Sequence, residues 1–344
     1  MRTDEFDYDL PTGLIAQAPL EPRDSCRLLV LDRTSGQIDH RHFYDLPDYL
    51  RKGDLLVVNE TRVLPARLSG VKDESGAAVE ILLLRERYDQ VWECLAKPGR
   101  KLQPGTRILL GDGAMTALVV DVLDDRGGRL IQFHPVEDRF IDIVHDIGEV
   151  PLPPYVTQEL DDPEEYQTIF ARDERSAAAP TAGLHFTPEL VERVTETGAR
   201  IAAVELDVGL DTFRPVAEED PTLHVMHSEH FRVPPYVAEE VNDTRARGGR
   251  VIAVGTTSVR ALESAWDDDV DGVAEADGAT RLFILPGYRF HTVDAMITNF
   301  HVPRSTLMMM VSAFGGRETI MRAYRVALEE KYRFLSFGDA MLIL

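Results

Sequence analysis

Val251-Ile-Ala-Val-Gly-Thr-Thr-Ser-Val-Arg260 is the stretch that sets the fold class. Its apolar run reads as a buried strand, Gly255 allows a sharp turn, and the hydroxyl residues that follow open a helix predicted over Ser258 to Ala265. A strand feeding directly into a helix is the building unit of an α/β sheet. The stretch carries neither the dinucleotide nor the P-loop glycine pattern. Its helix start has N–H groups able to hold an anion such as a phosphate or carboxylate, and ordinary capping by Thr256, Thr257 or Ser258 is the competing reading.

The same alternation extends on both sides of it. Upstream lie a helix over Pro188 to Gly198, capped by Thr187 with Pro188 in its first position, a strand over Ile201 to Val208, and a helix over Ala238 to Arg247. Downstream come a strand over Leu282 to Leu285 and helices over Ser305 to Ala313 and Glu318 to Lys331. Two early strands, Arg27-Leu-Leu-Val-Leu31 and Asp54-Leu-Leu-Val-Val-Asn59, look buried and belong to the same sheet type.

Between Val63 and Gly148 the character changes. Short strands at Val79 to Leu84, Val91 to Ala96, Arg107 to Leu110, Ala117 to Val122 and Arg129 to Phe133 alternate with turns at Lys97-Pro-Gly99, Gln103-Pro-Gly105, Gly111-Asp-Gly113 and Asp124-Asp-Arg-Gly-Gly128. Regular short strands with tight turns predict a small closed β-barrel. The Pro-rich joint Val150-Pro-Leu-Pro-Pro-Tyr155 then returns the chain to α/β patterning. The expected architecture is therefore a discontinuous α/β domain, 1–62 and 149–344, split in sequence by a barrel domain over 63–148.

At 344 residues the chain is long for a single core, which agrees with that division. The acidic opening Met1-Arg-Thr-Asp-Glu-Phe-Asp7 does not resemble a secretory signal, and no apolar run approaches the roughly 20 residues of a membrane helix. Cys26 and Cys94 have no partner at metal-ligand spacing and read as buried thiols in a reducing compartment. A soluble cytoplasmic protein is expected. Its net charge of −22 is unusual for a nucleic-acid binder. Basic residues nonetheless recur at Arg100/Lys101, Arg172/Arg175, Arg317/Arg322/Arg325 and Lys331/Arg333, so a local basic face on an acidic body is compatible with the sequence.

Several stretches place polar groups where a packed core would not choose them. Ala178-Ala-Pro-Thr-Ala-Gly-Leu-His-Phe-Thr187 sets His185 between two large apolar residues and offers Thr181 and Gly183 for close approach of a flat ligand; a tight loop with a satisfied histidine is the plainer reading. His224-Val-Met-His-Ser-Glu229 suits a metal pair, an acid/base relay, a substrate contact or simply a surface turn. Thr298-Asn-Phe-His-Val-Pro-Arg-Ser-Thr306 gathers amide, imidazole, guanidinium and hydroxyl groups just before a helix. Asn59-Glu-Thr-Arg62 with Arg67 offers a polar cluster for a purine edge or a phosphate, or a plain strand-end turn.

Taken together, these stretches resemble the S-adenosylmethionine:tRNA ribosyltransferase-isomerase family of queuosine biosynthesis. The likeness runs from Phe6 to the last residue. It is carried by Asp7-Tyr-Asp-Leu-Pro11, Arg23-Asp-Ser-Cys-Arg-Leu28, Gly53-Asp-Leu-Leu-Val-Val-Asn59, Thr61-Arg-Val-Leu-Pro-Ala-Arg67, Pro151-Leu-Pro-Pro-Tyr155 and Ala179-Pro-Thr-Ala-Gly-Leu-His-Phe186. It continues in Thr212-Phe-Arg-Pro215, Met226-His-Ser-Glu229, Gly255-Thr-Thr-Ser-Val-Arg260, Thr298-Asn-Phe-His301 and Ser336-Phe-Gly-Asp339. Three positions depart from the commoner family form: Asp207 where His is usual, Asp211 where Gly is usual, and Glu60 where Asp is commoner.

The resemblance implies a transferase that moves and isomerises the ribosyl part of S-adenosylmethionine onto 7-aminomethyl-7-deazaguanine at the wobble position of tRNA with a GUN anticodon. Epoxyqueuosine-tRNA, adenine and methionine would be the products. S-adenosylmethionine is then a consumed co-substrate, with no other cofactor, no metal and no membrane, and a monomer is expected. The chemistry needs a base for a C5′ proton acidified by the sulfonium, an exit for adenine from C1′, and a positioned aminomethyl nucleophile. Within that frame the candidate catalytic residues are His185, His227, Glu229 and His301, with His185 or His227 as base or proton donor and Glu229 orienting the imidazole. Candidate substrate-binding residues are Arg27, Asn59, Thr61, Arg62, Thr181, Gly183, Thr256, Thr257, Ser258, Arg260 and Asn299, the Thr256–Ser258 helix start being suited to the methionine carboxylate. Two other readings fit parts of the sequence: a paralogue using S-adenosylmethionine on another nucleic acid or a small nucleobase, suggested by Asp207 and Asp211, and a non-catalytic tRNA-binding module, suggested by the barrel.

Overall fold

A computed structural model describes residues 1–123, 127–136, 139–209 and 214–344. Two compact units are present: Met1–Thr61 with Pro153–Asp173 and Ala179–Leu344, and Arg62–Leu152 with Glu174–Ala178. The fold is mixed α/β, with a closed β-barrel set into the sequence of a larger α/β region.

The larger unit is organised by a nine-stranded sheet in the order Ala276–Thr280, Glu229–Val233, Arg200–Leu206, Leu55–Asn59, Val251–Val254, Ala295–Asn299, Ala340–Ile343, Arg27–Leu31 and Ile38–His42. Four central strands, from Arg200–Leu206 to Ala295–Asn299, run parallel. The Leu55–Asn59 strand sits among them and is buried at every residue, which is why it reads as a continuous apolar run and not as an alternation. One face is formed by every second residue of successive strands: Leu28 and Val30, Leu56 and Val58, Ile252 and Val254, Ala295 and Ile297, Ala340 and Leu342. Against it pack Leu190 and Val194 of the Pro188–Glu196 helix, together with Phe43, Leu46 and Phe186. That helix begins as its sequence demands, with Thr187 Oγ1 accepting from the Leu190 N–H at 3.1 Å and Pro188 in the first turn.

The smaller unit closes on itself. Strands Arg67–Lys72, Ala78–Tyr88, Val91–Lys97, Gly128–Pro135, Met115–Val122 and Arg107–Leu110 pair in that order, and Arg107–Leu110 pairs back onto Arg67–Lys72. Closure leaves the ring without a free edge. Gly70 makes the closing pair possible, because a Cβ there would lie 2.5 Å from the Leu109 carbonyl oxygen. The Phe140–Ile147 helix, which the alternating strand pattern did not suggest, follows the last barrel strand and buries Phe140, Ile143 and Val144.

The strand expected at Leu282 to Leu285 lies instead at Ala276–Thr280, where it pairs antiparallel with Glu229–Val233. The reason is local. Thr280 Oγ1 accepts from the Leu282 N–H at 3.1 Å, which turns the chain off the sheet, and the Leu282 carbonyl accepts from Arg260 Nε at 3.2 Å.

At the sheet's opposite end Asp54, fully buried, joins three segments. Its carboxylate accepts from the Arg250 guanidinium at 2.5 and 3.1 Å and from the Arg51 N–H at 2.9 Å. Burial pushes its pKa up, but these donors outweigh that and hold it below the ordinary value. A depressed carboxyl adds stability that is present above its unfolded value and lost as pH falls through the folded one. Asp54→Asn should therefore cost about 2–3 kcal/mol at neutral pH, and the gap between wild type and variant should shrink in urea titrations taken below pH 4. An equal gap at both pH values would remove this carboxylate from the acid sensitivity.

Candidate active site

In the sheet the Leu55–Asn59 strand lies between Arg200–Leu206 and Val251–Val254, and Ala295–Asn299 lies beyond Val251–Val254, all four running in the same direction. Ligand crevices of such sheets lie beyond the carboxyl ends of the parallel strands. The polar stretches singled out in the sequence follow these ends. The crevice is lined by Tyr155, Ala179, Pro180, Thr181, Ala182, Val208, Gly255, Thr256, Thr257, Thr298, Asn299, Phe300, His301, Val302, Ser305, Leu307, Leu335 and Ser336.

Asn299, at the end of its strand, is the hub of the floor. Its amide nitrogen lies 3.1 Å from the Leu335 carbonyl, 3.4 Å from the Ser336 carbonyl and 3.1 Å from His185 Nε2, while its oxygen lies 3.1 Å from Thr181 Oγ1. His185 is buried, packs its ring 5.1 Å from Phe43, and places Nδ1 3.2 Å from Cys26 Sγ. Burial, reinforced by the nearby Arg333 charge, brings its pKa down to about 3, so the imidazole is neutral at physiological pH. His301 is likewise buried and brought down to about 3 by desolvation. Its Nε2 lies 2.7 Å from Thr298 Oγ1, its N–H donates to Tyr324 Oη at 2.9 Å, and its carbonyl accepts from Tyr8 Oη at 2.5 Å.

Across the crevice the Thr256–Ser264 helix starts at Gly255, whose φ of +91° is the turn that glycine allows at no steric cost. As the N-cap residue, Gly255 supplies no side-chain cap hydrogen bond. Ser258, a possible cap, spends its hydroxyl on the Val254 carbonyl at 2.8 Å. Thr257 Oγ1 is buried and has no hydrogen-bond partner among the described residues. A first turn of uncapped N–H groups beside an unpaired hydroxyl is suited to an anion.

His227 and Glu229 are brought together. His227 Nε2 lies 2.8 Å from Glu229 Oε1, which also accepts from the Gly209 N–H at 3.0 Å. The other carboxylate oxygen is paired with Arg260, and both Glu229 and Arg260 are buried. Burial brings the Arg260 guanidinium down to about 10, still charged at neutral pH. His227 borders Gly209, next to the lining residue Val208. His224 turns to a different carboxylate, Glu218, at 2.9 Å. The two imidazoles of His224-Val-Met-His227 are thus held apart by separate partners, and among the described residues no group of three or more His, Cys, Asp or Glu side chains is gathered as a metal would need.

Other candidate residues stand elsewhere. Asn59 and Thr61 clamp the neighbouring strand, through Asn59 Nδ2 and Thr61 Oγ1 to the Leu206 carbonyl at 2.9 and 3.3 Å. Arg27 lies with its guanidinium 3.7 Å over the Tyr332 ring. Arg62 belongs to the barrel unit and pairs with Glu174 at 3.5 Å. Gly183 fits tightly against Thr168, where a Cβ would come within 3.0 Å of Cγ2. Asp207 faces His230, 3.6 Å from Nδ1, and His230 in turn reaches Asp277 at 2.9 Å, so the unusual carboxylate sits beside a histidine that links two neighbouring strands. Asp211, like Thr212 and Phe213, lies outside the described residues. Glu60 pairs with Arg172 at 3.2 Å. Of the recurrent basic residues, Arg317 pairs with Glu5, and Arg322 and Arg333 donate to the Gly36 and Ala18 carbonyls, whereas Arg100 and Lys101 stand exposed on a barrel turn.

Tyr155, Ser336, Thr298 and Cys26 also build the site but were not among the candidates. Tyr155 Oη and Ser336 Oγ, both of its lining, lie 2.7 Å apart. All four fall inside stretches that carry the family likeness, and of them only Thr298 also lies in a polar cluster that the sequence singles out.

The family model for queuosine biosynthesis proteins matches residues 3–343 of the chain. Among curated proteins, the S-adenosylmethionine:tRNA ribosyltransferase-isomerase of Symbiobacterium thermophilum is 56% identical over 344 residues, and that of Moorella thermoacetica 55% over 345, each match covering all of both chains. A crystal structure of S-adenosylmethionine tRNA ribosyltransferase from Thermotoga maritima aligns with a TM-score of 0.57 at 40% identity, covering 99% of this chain and all of the other.

Proposed function

This chain belongs to the queuosine biosynthesis protein family and is a transferase, and we propose that it transfers and isomerises the ribosyl moiety of S-adenosylmethionine onto 7-aminomethyl-7-deazaguanine at the tRNA wobble position. Epoxyqueuosine-tRNA forms, and adenine and methionine leave. The observation that carries this reading is the crevice itself. It sets an uncapped helix start opposite a floor of neutral imidazole and amide groups, a pairing suited to an amino-acid carboxylate at one end and a nucleoside at the other.

In this proposal the Thr256–Ser258 turn holds the methionine carboxylate through main-chain N–H groups, with Thr257 Oγ1 adding a donor. Asn299 and His301 sit by the ribosyl group. His227 removes the C5′ proton, because Glu229 and behind it Arg260 fix the imidazole and stabilise the imidazolium that forms. His185, neutral, buried and bonded through both ring nitrogens, serves as a positioning residue. The exposed Arg100 and Lys101 are available to tRNA phosphates.

The test uses purified protein, S-adenosylmethionine and an anticodon stem-loop carrying 7-aminomethyl-7-deazaguanine. Mass spectrometry should find epoxyqueuosine in the RNA and free adenine in solution. Intact S-adenosylmethionine with RNA still bound would replace this reading with a tRNA-binding module.

A further inference from the structure

The directions of the hydrogen bonds around Asn299 follow from two main-chain carbonyls. Leu335 and Ser336 present oxygens that can only accept, so the group of Asn299 facing them is the NH2 and its oxygen faces Thr181. That oxygen has no proton to give. The Thr181 hydroxyl must therefore donate to it, at 3.1 Å. His185 Nε2, which faces the same NH2, must accept, so a neutral ring carries its proton on Nδ1, directed at Cys26 Sγ.

Thr181 lines the crevice and is only partly buried. With its proton committed to Asn299, it offers the crevice lone pairs alone. We infer that Thr181 is a fixed acceptor that selects a hydrogen-bond donor on the bound nucleoside, a ribose hydroxyl or an exocyclic or α-amino group, and disfavours a carbonyl or carboxylate at that point. The inference rests on the function proposed above and adds which chemistry the floor reads. An ordinary threonine, free to rotate its hydroxyl, would take either kind of partner; here the carbonyl pair behind Asn299 removes that choice.

The experiment measures binding of S-adenosylmethionine by calorimetry to wild type, Thr181→Val and Thr181→Ser. Four analogues are tested in parallel, each lacking one donor: the 2′-hydroxyl, the 3′-hydroxyl, the purine 6-amino group or the α-amino group. Thr181→Val should weaken S-adenosylmethionine about tenfold, while Thr181→Ser, which keeps the hydroxyl, should stay within about twofold. One analogue should bind wild type about tenfold more weakly yet lose nothing further in Thr181→Val, which identifies the donor. Normal binding by wild type with an indifferent Thr181→Val, or losses that add for all four analogues, would overturn this inference and leave the proposed function standing. No binding of S-adenosylmethionine by folded wild type would overturn both.

Discussion

His227→Ala should lower kcat for ribosyl transfer by about 10²–10⁴-fold, the usual contribution of a positioned general base, with little change in affinity for S-adenosylmethionine. In the proposed reaction, removal of the C5′ proton needs a base, and the proposal gives that role to the imidazole held by Glu229 at 2.8 Å. His185 and His301 are both driven to about 3 by burial, so neither takes up a second proton near neutral pH without a large change of surroundings. The direct readout is exchange of C5′ hydrogen into deuterated solvent, followed by mass spectrometry. Exchange should vanish in His227→Ala together with turnover. Exchange at the wild-type rate would take the proton-removal step away from His227 and leave it a structural neighbour of Gly209.

Arg260→Met should destabilise the protein by about 3–5 kcal/mol, because it leaves the Glu229 carboxylate buried with its countercharge gone. Each partner is about 3–4% exposed, too little for water to replace what is lost. The double variant Glu229→Gln with Arg260→Met should recover much of that stability, since a neutral amide beside a thioether leaves no buried charge. It should not recover activity, because an amide cannot stabilise an imidazolium as a carboxylate does. Denaturant unfolding of the two single variants and the double variant measures the coupling. Additive losses would show that the ion pair is not what holds this part of the sheet edge.

The strands and turns of the barrel, the Thr187 cap and the Gly255 turn were legible because they depend on chemistry within a few residues: apolar period, turn glycines, a hydroxyl before a proline. The same locality explains a miss. Leu282 to Leu285 has the composition of a strand, yet one side-chain bond from Thr280 diverts it, and the less apolar Ala276–Thr280 takes the place on the sheet because Glu229–Val233 lies beside it. Arg27, Asn59 and Arg62 carry the right functional groups for ligand binding, and the sequence could not show that a ring, a strand end and Glu174 claim them first.

By itself, then, the sequence determined the mixed α/β class, the interposed barrel, the family and the stretches from which the site is made, since each is written in local pattern or in residue blocks. Only the tertiary structure decided which of those residues work together. Arg260 meets Glu229 from 31 positions away, Asn299 meets His185 from 114 and Cys26 meets His185 from 159. Strand order and direction bring such pairs to one end of one sheet, beyond the carboxyl ends of its parallel strands, and burial there decides whether an imidazole carries a charge and which way a hydroxyl must point.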